Sequence, residues 1–269
     1  MGVRMRAVRT LALILICPSA LAAQTDYYNT DSGRPVRIQD AYPVERHAFE
    51  LQLAPIRLER ATGGVYGWEL EPELAYGIFA RTQLEIGFPI RVPDPEAHTG
   101  GRGLAGIEVA ALHNLNVETE TVPALALEFA TVLPVGSLAP DDLYASITAI
   151  ATRTLGFARF HLNGQWTVGP EGGDPIRTEE LSRWLAGVAV DRTFPLRSAL
   201  LIGSVFAEQP LSPDEDLRWT AEAGLRYQWD PKLAVDAGFG RKLTGEHRSW
   251  SITFGAAYAF AVRSLMPGN

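Results

Sequence analysis

Cysteine is nearly absent from this chain. Its single copy, Cys17, falls inside the segment read below as an export signal, so the exported protein would have none. That excludes a small disulfide-stapled scaffold and leaves burial, or lipid, as the source of stability. Long apolar runs are missing too: beyond the N-terminus no stretch approaches the ~20 apolar residues of a membrane helix. There is no basic excess. Lys and Arg number 24 against 31 Asp and Glu, a formal charge of −7, and such an acidic balance argues against a nucleic-acid partner. Walker, His-Glu-x-x-His and Gly-x-Ser-x-Gly motifs do not occur. Gly100 to Gly106, "GGRGLAG", has the form Gly-x-Gly-x-x-Gly. It leads into a strand pattern rather than a helix, so it offers no helix N-terminus to a pyrophosphate. The histidines at 47, 98, 113, 161 and 247 lack the close spacing of a metal site. The expectation is a protein without cofactor or metal, and not an enzyme.

What the chain does have begins with Arg4, Arg6 and Arg9 ahead of the apolar run "LALILICPSALAA", ending on Ala20-Leu21-Ala22. This is the layout of a secretory signal peptide, residues 1–22. Ile16 stands where a lipoprotein signal needs a small residue. Cleavage would start the mature chain at Ala23 or Gln24 and make its charge three units more negative. Residues 23–46 follow as a polar leader with neither helical nor strand period. It would stay in the periplasm or tuck into a barrel mouth as a partial plug, and its composition favours the flexible form.

From there to residue 262 the chain alternates. Twelve segments follow period two: 47–59, 67–78, 82–91, 103–114, 122–133, 143–154, 158–168, 184–194, 198–208, 217–229, 232–243 and 249–262. In the second, Trp68, Leu70, Pro72, Leu74 and Tyr76 share one face, and Glu69, Glu71 and Glu73 the other. A helix would scatter those glutamates around its axis, so the period predicts strands. Mean hydropathy is near zero, which looks soluble but equally fits alternating barrel strands.

Connections sort by parity. "FAR", "LGF", "PLRS", "WDPK" and the longer "LNVETET" alternate with "RATGGVYG", "VPDPEAHTGGRG", "PVGSLAPDD", "GPEGGDPIRTEELSR", "EQPLSPDED" and "TGEHR". Short periplasmic turns against longer outer loops is the layout of a transmembrane barrel, and a soluble meander has no reason for it. Trp219 and Trp229 lie ten residues apart on one face, as do Trp250 and Phe260. Ten residues of a strand tilted at ~45° cover roughly 23 Å, close to the ~25 Å apolar band between aromatic girdles. The predicted fold is all-β: a closed antiparallel transmembrane β-barrel of about 12 strands over residues 47–262, with a tail at 263–269. Soluble barrels and periplasmic sandwiches are the competing folds, and their outward faces should be polar.

Several stretches carry a family likeness. "YGIFARTQLEIGFPI", "ELSRWLAGVAVDRTFPLRSALLIGSVFAEQP", "RYQWDPKLAVDAGFGRKLTG" and "WSITFGAAYAF" resemble the hairpins and last strands of the MetA-pathway phenol-degradation family of outer-membrane transporter-like proteins. The likeness runs over roughly residues 49 to 262. It implies an outer-membrane barrel that passes small, often aromatic, compounds. "AVRSLMPGN" after Phe260 departs from barrels that end on the last strand's aromatic.

The inward face defines candidate pore-lining residues. An acidic group comes from early strands: Glu69, Glu71, Glu73, Glu85, Glu108 and Glu128, with Glu50 and with Arg57 as the main base. Later strands add His161, Asp191, Arg218, Glu222, Arg226 and Asp236. These could form an acidic stripe facing a basic one, favouring cations or orienting dipolar solutes. Alternatively they pair across neighbouring strands and merely fill the interior. A catalytic role for His161 beside a strand serine is the enzymatic alternative, and a hydrogen-bonded filler is the better account. The acidic outer loops "APDDL" and "SPDEDL" lack the spacing of a calcium loop. Expected partners are outer-membrane lipid and lipopolysaccharide, the barrel-assembly machinery and a small-molecule solute. The expected function is passive passage of that solute, with a non-transporting structural or adhesion barrel as the alternative.

Overall fold

In the computed structural model the described residues are 29–60, 64–93, 102–171, 177–178, 181–212, 214–244 and 249–262. The expected signal peptide and C-terminal tail lie outside them. Every regular element is a strand. In chain order these are β1 (Ala48–Arg60), β2 (Tyr66–Phe79), β3 (Thr82–Gly87), β4 (Ile90–Pro93), β5 (Gly103–Leu104), β6 (Ile107–Asn116) and β7 (Ala124–Leu133). Then come β8 (Tyr144–Leu155), β9 (Ala158–Val168), β10 (Ser182–Thr193), β11 (Ala199–Pro210), β12 (Arg218–Asp230), β13 (Leu233–Lys242) and β14 (Trp250–Ala261). β3 with β4, and β5 with β6, are single staves interrupted at Phe88–Pro89 and Ala105–Gly106. Hydrogen bonds from Phe88 N–H to the Pro72 carbonyl and from Ala105 N–H to the Pro89 carbonyl carry the ladder across these breaks.

The result is twelve antiparallel staves, and β1 pairs with both β2 and β14, so the sheet closes. Closure removes the unpaired edges that lipid could not satisfy. Aromatic rings mark the seam: Phe49 stands opposite both Tyr76 and Phe260 and stacks on each, with centroids 4.4 and 5.2 Å apart. Such pairs contribute about 0.5–1.5 kcal/mol each beyond area burial.

Burial is inverted relative to a soluble barrel. On β9, Leu162 and Trp166 are more than half exposed, while His161 and Asn163 are 2% and 3% exposed. Phe129, Val188, Trp219, Trp229, Phe239 and Phe254 also face outward. An apolar belt around the whole wall has no account in water and a direct one in lipid. That decides against the soluble alternatives. Connections at one end are mostly tight (80–81, 156–157, 194–198, 231–232), with 117–123 the longest of them, and most of those at the other end are longer. In the 231–232 turn, Asp230 Oδ1 accepts from the N–H groups of Lys232 and Leu233, at 2.7 and 3.0 Å, which is why Asp and Pro suffice there.

One irregularity sets the lumen. In β1 the register shifts between Gln52 and Ile56, around Pro55, which has no N–H for the ladder. The bulge inverts the strand's parity, so that Glu50 and Gln52 before it and Arg57 and Glu59 after it all point inward. Without the extra residue Glu50 and Arg57, an odd number of positions apart, would face opposite ways.

Candidate functional site

Residues 29–46 run through the lumen rather than along the wall. The segment has no regular structure, and inward side chains of the staves satisfy its backbone. Three alternate N–H groups donate to three staves: Arg37 to Glu222 Oε2 (2.6 Å), Gln39 to Asn163 Oδ1 (2.9 Å) and Ala41 to Thr152 Oγ1 (3.0 Å). Val44 N–H donates to Gln83 Oε1. In return Asn163 Nδ2 donates to the Gln39 carbonyl (2.9 Å) and Asn114 Nδ2 to the Ala41 carbonyl (2.8 Å).

Glycines make room for this. A Cβ on Gly224 would lie 2.5 Å from Pro35 Cγ, and one on Gly238 would lie 2.4 Å from the Pro35 carbonyl oxygen. Both glycines occupy inward positions of β12 and β13, where a side chain would push the segment off the wall.

Two charged clusters hold the segment. In the first, Arg34 donates to Asp236 Oδ2 at 2.9 Å and has Glu50 at 3.8 Å and Asp31 at 3.5 Å. Arg226 reaches the same Asp31 and Glu50, at 3.3 and 3.8 Å, and donates to the Asn29 carbonyl. Burial alone would lower the affinity of Arg34 for its proton, but Asp236, Asp31 and Glu50 together reverse this, so it is held charged above its ordinary value.

In the second cluster, Arg159 clamps Asp191 through two hydrogen bonds of 3.0 and 2.7 Å and lies 3.6 Å from Asp40 of the segment. His161 Nε2 lies 2.9 Å from Asp191 Oδ2, and its Nδ1 lies 3.0 Å from Thr152 Oγ1. The Asp191 carboxylate, held by Arg159, can only accept, so His161 Nε2 donates to it, and in the neutral ring Nδ1 then accepts from the Thr152 hydroxyl. Asp40 accepts from the N–H groups of Thr30 and Tyr42. Burial pushes the Asp40 carboxyl up to about 6, with Arg159 and His161 pulling the other way.

Threonine, histidine and aspartate in a row are the residue types of a nucleophilic relay. Thr152 is fully buried, however, and its oxygen is occupied by the segment backbone. In the conformation seen, the arrangement holds the segment. Among the described residues, no three His, Cys, Asp or Glu are grouped to hold a metal.

Above the first cluster, toward the long loops, lies a cavity of about 130 Å³ lined by seven carboxylates and four arginines. All six early-strand glutamates singled out in the sequence meet here: Glu69, Glu71, Glu73, Glu85, Glu108 and Glu128. Glu69 pairs with Arg91 at 3.2 Å, and Glu128 accepts from Gln39 at 2.9 Å. An adjoining recess is lined by Arg37, Arg57, Arg241 and Lys242 together with Glu59, Glu208 and Glu222. On the short-turn side of the segment a wider cavity of about 530 Å³ is lined by Tyr42, Arg46, Arg81, Asn114 and Arg159, among others.

The later-strand candidates go elsewhere. Asp236 and Arg226 belong to the first cluster, His161 and Asp191 to the second, and Glu222 fixes Arg37 N–H and Ser204 Oγ. Arg218 stands apart, at the outer rim against Glu215. Most of these charges do find partners, some across neighbouring staves, as Glu69 with Arg91 and Asp191 with Arg159 and His161, and others through the segment, as Asp236, Arg226 and Glu128.

Sequence reasoning passed over Arg34, Asp40, Arg159, Thr152 and Asn163. For Arg34 and Asp40 two signals existed, the three-residue rhythm Asp31, Arg34, Arg37, Asp40 within "DSGRPVRIQD" and glycines at inward strand positions, and for the three wall residues there was none.

No family model matches the chain, and no curated protein matches it significantly. Solved structures do. The COG4313 outer membrane channel from Pseudomonas putida F1 superposes with a TM-score of 0.56 over 86% of this chain and 100% of that one, at 14% identity. The KdgM porin, in complex with disordered oligogalacturonate, does so with a TM-score of 0.50 over 78% of this chain and 98% of that one, at 13% identity. At these identities the likeness is one of fold: the chain has the closed antiparallel barrel of outer-membrane channels.

Proposed function

We propose that this protein is an outer-membrane channel for passive passage of a small solute. The observation that carries the reading is the layout of the lumen. A polar chamber at the outer end and a wider cavity at the inner end are separated by residues 29–46, a segment outside the hydrogen-bonded wall, together with the inward charged side chains that hold it. The carboxylate majority in the outer chamber favours cations or solutes with a positive end. Deeper in, the lumen carries two apolar shelves, Leu185 with Ile202 and Phe206, and Leu112 with Ile150. They support the expectation of an apolar or aromatic solute body that otherwise rests on the MetA-pathway resemblance. In the conformation seen, the segment closes the path, so passage requires it to move.

The test is conductance of the purified chain in planar bilayers, alone and as the Arg34→Ala/Ile38→Asp variant. The channel reading expects small or intermittent current from the unaltered chain and sustained current from the variant. Absence of current and of liposome swelling in both would instead support a structural barrel. Outer-membrane location is tested by recovery in the outer-membrane fraction after a carbonate wash.

A further inference from the structure

The contacts between the lumen and residues 34–44 have the form of ligand recognition. Wall side chains read the segment's backbone at alternate residues: Asn163 both accepts from and donates to Gln39, while Thr152 and Asn114 take the N–H and the carbonyl of Ala41. Alternation of this kind is how an open chain is gripped from one side. Side chains of the segment enter complementary places. Arg34 meets Asp236 and Glu50. Pro35 lies on the Gly224 and Gly238 shelf. Val36 and Ile38 fill an apolar patch made by Leu185, Ala189, Ile202 and Phe206. Those wall residues point into a largely polar lumen, where a water-filled pore has no use for them.

The fit is also incomplete. Among the described residues, Arg34 Nε and Asp236 Oδ1 are buried without a hydrogen-bond partner, so the resident segment leaves part of the polar capacity of the site unused.

We infer that the inner wall is a binding site for an open-chain peptide of the pattern Arg-Pro-aliphatic-x-aliphatic, and that residues 34–38 of this chain are its resident ligand. A peptide of that pattern arriving through the outer chamber first meets the carboxylates there, which attract its guanidinium. It then competes with the tethered segment for the same wall. The inference goes beyond the channel reading and does not depend on it, because binding is read without current.

The experiment uses the full chain in detergent with a fluorescent synthetic peptide of residues 29–46. The wall is vacated by altering only the segment, as Arg34→Ala/Ile38→Asp. This variant should bind the peptide saturably by fluorescence anisotropy. The unaltered chain should bind it at least tenfold more weakly, since a tethered competitor acts at roughly millimolar effective concentration. A peptide carrying the same two changes should lose at least tenfold in affinity for the variant. Equal binding of the altered peptide, or no saturable binding, overturns the inference.

A second measurement needs no variant protein. An excess of peptide bearing Arg37→Gln, which trypsin leaves intact at that bond, should speed cleavage of the unaltered chain between Arg37 and Ile38. An unchanged cleavage rate overturns the proposal as well. Current in bilayers separates the two readings: peptide binding with no current in any variant removes the channel and keeps the peptide site.

Discussion

The lumen contains two charged regions built on the same staves, and they behave oppositely. In the cluster around Arg34 each guanidinium has carboxylates within 4 Å: Asp31, Glu50 and Asp236 surround Arg34, and the first two also reach Arg226. In the outer chamber, seven carboxylates face four arginines. Apart from Asp31 of the segment, which borders both, the wall supplies both sets of acids by the same rule, alternate inward positions. The difference lies in what residues 29–46 bring to each: Arg34, set among wall carboxylates, to the first, and Arg37 and Gln39 to the second, with Asp31 bordering both. A cluster in which every guanidinium is ringed by carboxylates holds a segment in place. A chamber left acidic attracts what is not yet there.

The sharpest way to break this comparison is to remove the cation that the first region depends on. Arg34→Ala leaves Asp236 buried beside Arg226 without its direct partner. Breaking a buried pair on one side costs about 3–5 kcal/mol, enough to loosen the segment from the wall. Trypsin cleavage after Arg37 should rise by two orders of magnitude or more. Cleavage at the wild-type rate would mean that the backbone contacts alone retain the segment.

A steric route to the same state leaves every charge in place. In Gly238→Val the new side chain starts 2.4 Å from the Pro35 carbonyl oxygen and 2.6 Å from Thr253 Oγ1. Overpacking of this kind costs about 1–3 kcal/mol. Segment protection against proteolysis should fall roughly tenfold, while heat-modifiability of the barrel on gels stays unchanged. A fall in barrel stability instead would place the strain in the wall.

The third effect is a pH dependence. Asp40 has its carboxyl raised from 3.8 to about 6, chiefly by burial. A carboxyl raised on docking makes docking most favourable while it is protonated in both states, below about pH 4, and weakens it as pH rises through 6. The shift amounts to on the order of 3 kcal/mol as an upper bound. Hydrogen exchange at the Ala41 amide, corrected for intrinsic rates, should therefore show tighter docking at pH 5 than at pH 7.5. Asp40→Asn should flatten that slope. An unchanged slope would assign it to other groups of the cluster.

How far these regions were legible beforehand differs in the same way. Strands, loop parity and the aromatic girdles were readable because lipid imposes period two on every stave, and the early glutamates of β2, β3, β6 and β7 could be placed on one face by parity alone. Parity fails where the chain bulges: only the register shift around Pro55 explains how Glu50 and Arg57 share the lumen. The clusters were harder to read because their partners are remote in sequence. Arg34 and Asp236 are 202 residues apart, and Gln39 and Asn163 are 124 apart. No local period records such a contact. The inward glycines did carry a trace of it, since a lumen-facing position without a side chain marks something close by.

The smallest effect concerns the chamber itself. Glu71→Gln with Glu73→Gln removes two of its seven carboxylates without touching Arg34, Asp236 or the second cluster. In the vacated Arg34→Ala background the cation-to-anion permeability ratio should fall, on the order of twofold at low salt. The change should shrink above about 1 M salt, where the screening length is near 3 Å and fixed charges no longer act across the lumen. Protection of residues 29–46 in the otherwise unaltered chain should not change. If it does, the acidic chamber also grips the segment, and the division between a region that holds and a region that attracts disappears.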